Sequence, residues 1–341
     1  MNKEELERGL AGFIQRKTGA AAVRIENATR LSGGASRETW SWDAHVEKDG
    51  RTEVIPGILR ADPVKGVPSS PGRELEYWLI RAAWESGAAV PEPLWDGDDE
   101  TFGVKFMTMK RVEGETLGAR LVRGEQYAHA RKVLPEQLAR ALARIHSIDA
   151  TKYPQLAALP RPEEGVTPAQ AAVDRAETAF RTLSRDPHPV FELAFRWLRA
   201  HLPPPAEPLF VHGDFRLGNV IFGEDGLRAV IDWELAHFGD PLEDLGWVMM
   251  RSWRFGGDKP VAGVGDREPF LRAYEEEAGR TIDREQVRFW EIYANLWWGV
   301  ITINQADGYL SGRNRSVELA AIGRRTAETE IELLNLLEGE Y

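Results

Sequence analysis

The stretch LFVHGDFRLGNVIF, residues 209–222, sets His212, Asp214 and Asn219 between two apolar runs. Asp, Gly and Asn are turn residues, so it reads first as a loop held by two strands, and a plain hairpin turn would use the same residue types. Its surroundings ask for more than a turn. Asp214 follows the apolar run LFV, and Asp232, thirteen residues after Asn219, follows the run AVI. A strand-loop-strand hairpin would bring Asp214, Asn219 and Asp232 to the same end of one small sheet. Three oxygen-bearing side chains there suit a hard cation, and Mg²⁺ characteristically takes one or two carboxylates and completes its shell with substrate phosphates. A base aspartate, an asparagine five residues on, and then a metal-binding aspartate is also the order found in protein kinases.

Composition narrows the alternatives. The chain has 341 residues, enough for two domains or lobes, and 43% apolar with 28% charged residues is ordinary for a globular protein. It has no Cys, which removes disulfides, thiolate metal sites and a Cys nucleophile, and suits a reducing cytoplasm. The seven His residues form no i, i+4 pair with a carboxylate between them, the pattern of a helical zinc site. A net charge of −11 without a basic run disfavours nucleic acid as a partner. The opening MNKEELERGLAGFIQRKTG is charged throughout and is not read as a signal peptide; Leu6, Leu10, Phe13 and Ile14 fall instead on one helical face. LWWGVITI (296–303) is too short to span a membrane and reads as a buried helix, so no membrane partner is expected.

Outward from the loop, residues 23–61 read as strands with a turn at Lys48-Asp49-Gly50, followed by a helix RELEYWLIRAAWESG (73–87) and a strand pair ending in FGVKFMTMKRVEG (102–114). This is a small, mostly antiparallel sheet carrying one inserted helix, not a βαβ repeat. From Glu113 the periodicity turns helical: Leu138, Leu142 and Ile145 share a face, segments 168–184 and 188–202 follow, and the chain is helical again after Asp244, with a loop at 256–266. The division expected is 1–112, a small lobe built on this sheet, and 113–341, a larger, mainly helical lobe. No G-x-x-x-x-G-K-[ST] or G-x-G-x-x-G occurs, so P-loop and Rossmann readings lack their carriers.

HGDFRLGN (212–219), IDWE (231–234) and GDPLEDLGW (239–247) closely resemble the aminoglycoside phosphotransferase and choline-kinase group of protein-kinase-like enzymes. More narrowly, the chain is similar from LSGGASRETW (31–40) to AAIGRRTAE (320–328) to the branch whose domains also occur fused to acyl-CoA dehydrogenases. The resemblance implies an α+β, bilobal protein-kinase-like fold and a Mg²⁺-dependent (or Mn²⁺-dependent) transfer of the γ-phosphoryl group of ATP or GTP to a hydroxyl of a small molecule. It implies that His212 braces the loop, Asp214 is the catalytic base, Asn219 and Asp232 bind the metal, and Asp240 and Asp244 are structural, tying the following helix to the loop. Ser32, Gly33, Gly34, Ser36 and Arg37 would form the turn over the phosphates, and Met109 to Val112 the hinge against adenine, through backbone groups of Lys110 and Val112. Where a kinase usually has Lys on its third strand, GILRAD offers Arg60, which can still neutralise phosphates, with Glu76 or else Glu74 as its helix partner.

The acceptor divides the readings. A hydroxyacyl-CoA or other anionic metabolite fits the branch, with Arg313, Arg315, Arg324 and Arg325 as candidate contacts. A true aminoglycoside kinase fits the family name and the acidic charge. A catalytically inactive nucleotide-binding regulator is a further reading, and the oligomeric state is open. Trp247, Trp253, Trp290, Trp297 and Trp298 read as core or as the lining of an acceptor pocket, and His237 as a structural histidine.

Overall fold

The computed structural model of the chain describes residues 1–31, 38–62, 72–98 and 100–339. The chain forms two compact units. The first comprises Met1–Gly114, Asp149–Ala158 and Arg228–Leu235, and the second Glu115–Ile148, Leu159–Leu227 and Ala236–Tyr341. Strands and helices are segregated rather than alternating, which makes the fold α+β.

In the first unit, helix α1 (Lys3–Thr18) opens with a reciprocal capping box between Asn2 and Glu5 and ends at Gly19 in the left-handed region. Strands β1 (Ala22–Arg30), β2 (Glu38–Lys48) and β3 (Arg51–Ala61) follow, then helix α2 (Arg73–Glu85), β4 (Pro93–Gly97) and β5 (Phe106–Lys110). They make one antiparallel sheet in the order β1-β2-β3-β5-β4. The β2–β3 turn is tight because Asp49 and Gly50 both take positive φ, 52° and 72°, which suits the twist of a two-residue hairpin. Strand alternation puts Trp40, Trp42, Leu59 and Ala61 in a core with Leu6, Leu10, Phe13 and Ile14 of α1. Arg60, between Leu59 and Ala61, is thereby turned to the other face of the sheet. Residues 228–235 belong to this unit because the Val230 N–H donates to the Ala89 carbonyl (2.7 Å) and Arg228 Nη1 to the Glu113 carbonyl (2.8 Å).

The second unit carries α3 (Gly118–Arg123), α4 (Ala130–His146), α5 (Pro168–Leu183), α6 (Pro189–Ala200), β6 (Leu209–Val211) and β7 (Val220–Gly223). β8 (Gly226–Val230) leads out of it, and β9 (His237–Gly239), α7 (Leu242–Met249), α8 (Arg267–Ala278), α9 (Arg284–Leu310), α10 (Val317–Gly323) and α11 (Thr326–Glu338) complete it. The long α9 is its axis, with α5, α6, α7, α10 and α11 packed on it. Gly246 lets α7 approach closely, since a Cβ there would lie 2.5 Å from the Trp290 backbone of α9. LWWGVITI lies inside α9, and among the described residues no helix is long and apolar enough to cross a membrane.

One expectation is corrected. The segment after residue 208 is not one small sheet: β6 pairs antiparallel with β9, Val211 opposite His237, whereas β7 and β8 form a separate two-stranded sheet. Apolar runs of three to five residues specify a strand but not its partner, and the partner of β6 comes from 26 or more residues downstream.

Candidate active site

Strand β6 ends at Val211 and delivers His212, Gly213 and Asp214; Gly213 takes φ 79°, and a short 3₁₀ turn, Leu217–Asn219, closes the loop before β7. The floor of this loop is Asp244 of α7, with no exposed surface. Its Oδ2 accepts from the His212 N–H (2.7 Å) and its Oδ1 from the Gly213 N–H (2.9 Å). His146 Nε2 lies 3.0 Å from the same carboxylate, while His146 Nδ1 meets the Tyr274 hydroxyl at 2.8 Å. Arg280 Nη2 donates in turn to that hydroxyl (2.8 Å). A consistent set of directions has the Tyr274 O–H donating to Nδ1 and the Nε2–H donating to Asp244. Burial opposes the Asp244 charge, yet His146, the His212 side chain and the His212 N–H together hold its carboxyl below the usual aspartate range. Asp240 accepts from the Leu242 N–H (2.9 Å) at the start of α7, a contact to the following helix.

Asp214 is held differently. Its own N–H donates to His212 Nδ1 (3.2 Å), so the histidine braces the turn from inside. Its carboxylate accepts from Trp247 Nε1 (2.8 Å), Arg216 Nε (3.0 Å) and Asn219 Nδ2 (2.6 Å). Burial pushes the Asp214 carboxyl above its ordinary value, against the charges of Arg216 and His212 and the Trp247 hydrogen bond. Arg216 Nε also reaches Oδ2 (3.2 Å), so three donor groups make four contacts with a carboxylate whose side chain keeps 13% of its surface exposed. Arg216 stacks over the Trp253 ring at 4.7 Å, and Trp253 leans on Trp247, with ring centres 5.9 Å apart. The part of Trp247 and Arg216 in holding Asp214 was missed in the sequence reading. The signal was there for Trp247: it follows Asp244 by three helical positions, so both side chains leave the same face of α7.

In the first unit, Arg60 Nη1 pairs with Glu76 Oε1 at 2.7 Å, so of the two acids in the first turn of α2 it is Glu76, not Glu74, that meets Arg60. Glu76 is also paired with Arg73, whose Nε binds Asp62 (3.1 Å). Asp232 takes φ 68° just beyond β8, a left-handed conformation uncommon outside glycine, and puts its Oδ1 3.8 Å from Arg60 Nη2. Burial pulls the Arg60 guanidinium below its ordinary value, while Asp232 and Glu234 sustain its charge. At the end of β5 the Lys110 N–H donates to the Glu92 carbonyl (2.8 Å). Ser32, Gly33, Gly34, Ser36 and Arg37 lie outside the described residues.

In the second unit Asn219 donates its amide nitrogen to the Asp214 carbonyl and carboxylate, and in the first unit the Asp232 carboxylate is one-third exposed; amide and carboxylate oxygens are each donors of the kind a hard cation takes. Among the described residues no cluster of three or more His, Cys, Asp or Glu side chains forms an all-protein cage.

The phosphotransferase enzyme family matches residues 28–290. The chain is 30% identical over 246 residues to acyl-CoA dehydrogenase family member 11 of Gallus gallus, a match covering 71% of this chain and 29% of that protein. The chain thus spans about three-tenths of the length of this relative. Among solved structures, a protein of Ralstonia eutropha provisionally called an aminoglycoside phosphotransferase superposes with a TM-score of 0.75 at 22% identity, covering 96% of each chain. The GDP and kanamycin complex of the aminoglycoside phosphotransferase APH(2″)-IIIa gives 0.60 at 16% identity, over 94% of this chain and 98% of that one. The fold is therefore the kinase-like α+β fold of aminoglycoside phosphotransferases, and the chain belongs to the phosphotransferase enzyme family.

Proposed function

We propose that this protein transfers the γ-phosphoryl group of ATP or GTP to a hydroxyl of a small molecule, with Mg²⁺ (or Mn²⁺) bound between nucleotide and protein. The observation that carries the reading is the condition of Asp214. It is a largely buried carboxylate, fixed by Trp247, Arg216 and Asn219, that still keeps an exposed edge where a further hydroxyl can reach it. Asp244, by contrast, has no exposed surface and accepts only from within the protein.

Phosphoryl transfer asks a protein for alignment and charge stabilisation more than for covalent chemistry. Asp214 accepts the proton of the attacking hydroxyl and, by the same contact, orients it. Asn219 and Asp232 hold the metal, which offsets charge on the phosphoryl oxygens. Arg60, steadied by Glu76, faces the phosphates, and the backbone of Met109 to Val112 receives the base. The match to a region of acyl-CoA dehydrogenase family member 11 supports a hydroxyacyl-CoA or another metabolite as acceptor. The likeness to a kanamycin complex supports an aminoglycoside, though it extends to fold alone.

The test is nucleotide turnover by the full chain with a panel of hydroxyl acceptors, with Mg²⁺, with Mn²⁺ and in excess EDTA. Acceptor-stimulated turnover that disappears in EDTA is expected. Tight nucleotide binding with no turnover for any acceptor would favour the regulatory role instead, and metal-independent nucleotide affinity would remove Asn219 and Asp232 as ligands.

A further inference from the structure

The second unit holds a cavity of ≈520 Å³ walled by the chain just after α7 and by α9 and α11, with three arginines, Arg251, Arg254 and Arg325, on its lining. Sequence alone offered Arg325 as one of four C-terminal arginines that could meet an anionic acceptor. Of these, Arg313 is paired with Asp307, whereas Arg325 faces this cavity, opposite two arginines nearly 75 positions earlier in the chain.

Two carboxylates, Glu328 and Glu332, also line the cavity, but they hold the guanidinium groups without exhausting them. Arg325 gives only Nε to Glu328 (3.0 Å). Arg251 stands 3.7 Å from Glu332, beyond hydrogen-bond distance. Arg254 donates Nε and Nη2 to the Met249 carbonyl, at 3.3 and 2.9 Å. A guanidinium carries five N–H donors, so each arginine keeps some for a ligand. Arg254 Nη2 also lies 4.0 Å from the buried Glu291, which Arg267 pairs at 2.6 Å, so four cations meet three anions and a surplus of one positive charge remains, in a chain whose net charge is −11. The amide of Asn295 adds a buried polar group, and Ile331, 60% exposed, adds an apolar rim.

The cavity wall is continuous with the support of Asp214. Trp253 sits in the chain between Ser252 and Arg254, and its ring touches Trp247 and Arg216, the two side chains that hold the Asp214 carboxylate. Trp253 thus links the chain that lines the cavity to the side chains that hold Asp214.

We propose that this cavity binds the anionic end of the phosphoryl acceptor, a carboxylate or phosphate, and so selects hydroxylated acids over neutral or cationic alcohols. The inference rests on the phosphotransferase reading and specifies its acceptor. An ammonium at the same place would meet surplus positive charge and lose affinity by the same arithmetic. The reaction that supplies the substrate must then leave a free hydroxyl and an acidic group on one small carbon chain.

Four probes of one length separate the possibilities: 5-hydroxypentanoate, 5-hydroxypentyl phosphate, 1,5-pentanediol and 5-amino-1-pentanol. Each is titrated into the full chain by calorimetry and offered as acceptor with Mg²⁺ and ATP. One or both acids should exceed the diol and the amine at least about 10-fold in kcat/KM, and the better acid identifies the anionic group. That factor is the least expected of one charge-assisted hydrogen bond. Arg251→Gln, at a side chain 70% exposed and so tolerant of change, and Arg325→Gln should each raise KM for the acid about 10-fold and leave that for the diol where it was. Equal handling of acid and diol, or acid affinity indifferent to both substitutions, overturns the proposal. If no probe is phosphorylated but the acids bind and Arg251→Gln removes that binding, the cavity stands as an anion site and the phosphotransferase reading falls.

Discussion

Two carboxylates of the second unit serve the same loop in opposite ways. Asp244 lies beneath it, wholly buried, with two backbone N–H groups and an imidazole on its oxygens, and its carboxyl is held below the usual range. Asp214 lies in the loop, slightly exposed, with side-chain donors on its oxygens, and burial carries its carboxyl upward. Burial alone thus does not set the role of an acid. What differs is the kind of donor and the access: backbone amides fixed by the fold and a buried imidazole hold Asp244 out of reach, and side chains on three separate positions steady Asp214 while leaving it an exposed edge.

The sharpest way to break the comparison is Asp214→Asn. If Asp214 is the base, single-turnover rate should fall by about 10²–10⁴ while nucleotide affinity stays nearly intact, because the amide keeps the shape and loses the proton acceptor. Equal losses of rate and affinity would instead make Asp214 another structural acid.

Asp244→Ala should act on stability. Removing the carboxylate strands the His212 and Gly213 amides and the His146 ring, at a cost of about 3–5 kcal/mol, read from urea unfolding. The pH dependence has a definite sign. A depressed aspartate contributes stability that is complete above its unfolded value of about 3.9 and is lost as pH falls through the lower folded value. The stability difference between wild type and Asp244→Asn should therefore shrink on acidification below about pH 4, and a difference that grew there would refute the assignment.

Arg60→Gln tests the first unit. Glu76 keeps Arg73 as partner, so the fold should survive, while nucleotide affinity drops by about 10-fold or more for a lost charge-assisted contact. Retained affinity, measured by calorimetry at fixed Mg²⁺, would restrict Arg60 to pairing with Glu76. The smallest effect is expected for Tyr274→Phe, which removes one hydrogen bond from behind His146: about 0.5–1.5 kcal/mol in unfolding, with little change in turnover. A fall in turnover as large as that of Asp214→Asn would show that the hydrogen-bonded chain from Arg280 through Tyr274 and His146 to Asp244 does more than hold the loop in place.

The sequence by itself determined the features that a few neighbouring residues encode. The α1 face of Leu6, Leu10, Phe13 and Ile14 is legible from helical period, the hairpin at Asp49-Gly50 from turn chemistry, and Arg60 from its place among alternating strand residues. The order Asp214, Asn219, Asp232 is legible because the loop chemistry is local. The tertiary structure decided what depends on distant partners. It set β6 against β9 rather than in one sheet with its neighbours, chose Glu76 over Glu74 for Arg60, turned Trp247 onto Asp214, and gathered Arg251 and Arg325 around one cavity. Period and turn propensity act over a few residues, whereas these contacts follow from how whole elements pack, and packing is a property of the complete set of faces rather than of any one stretch.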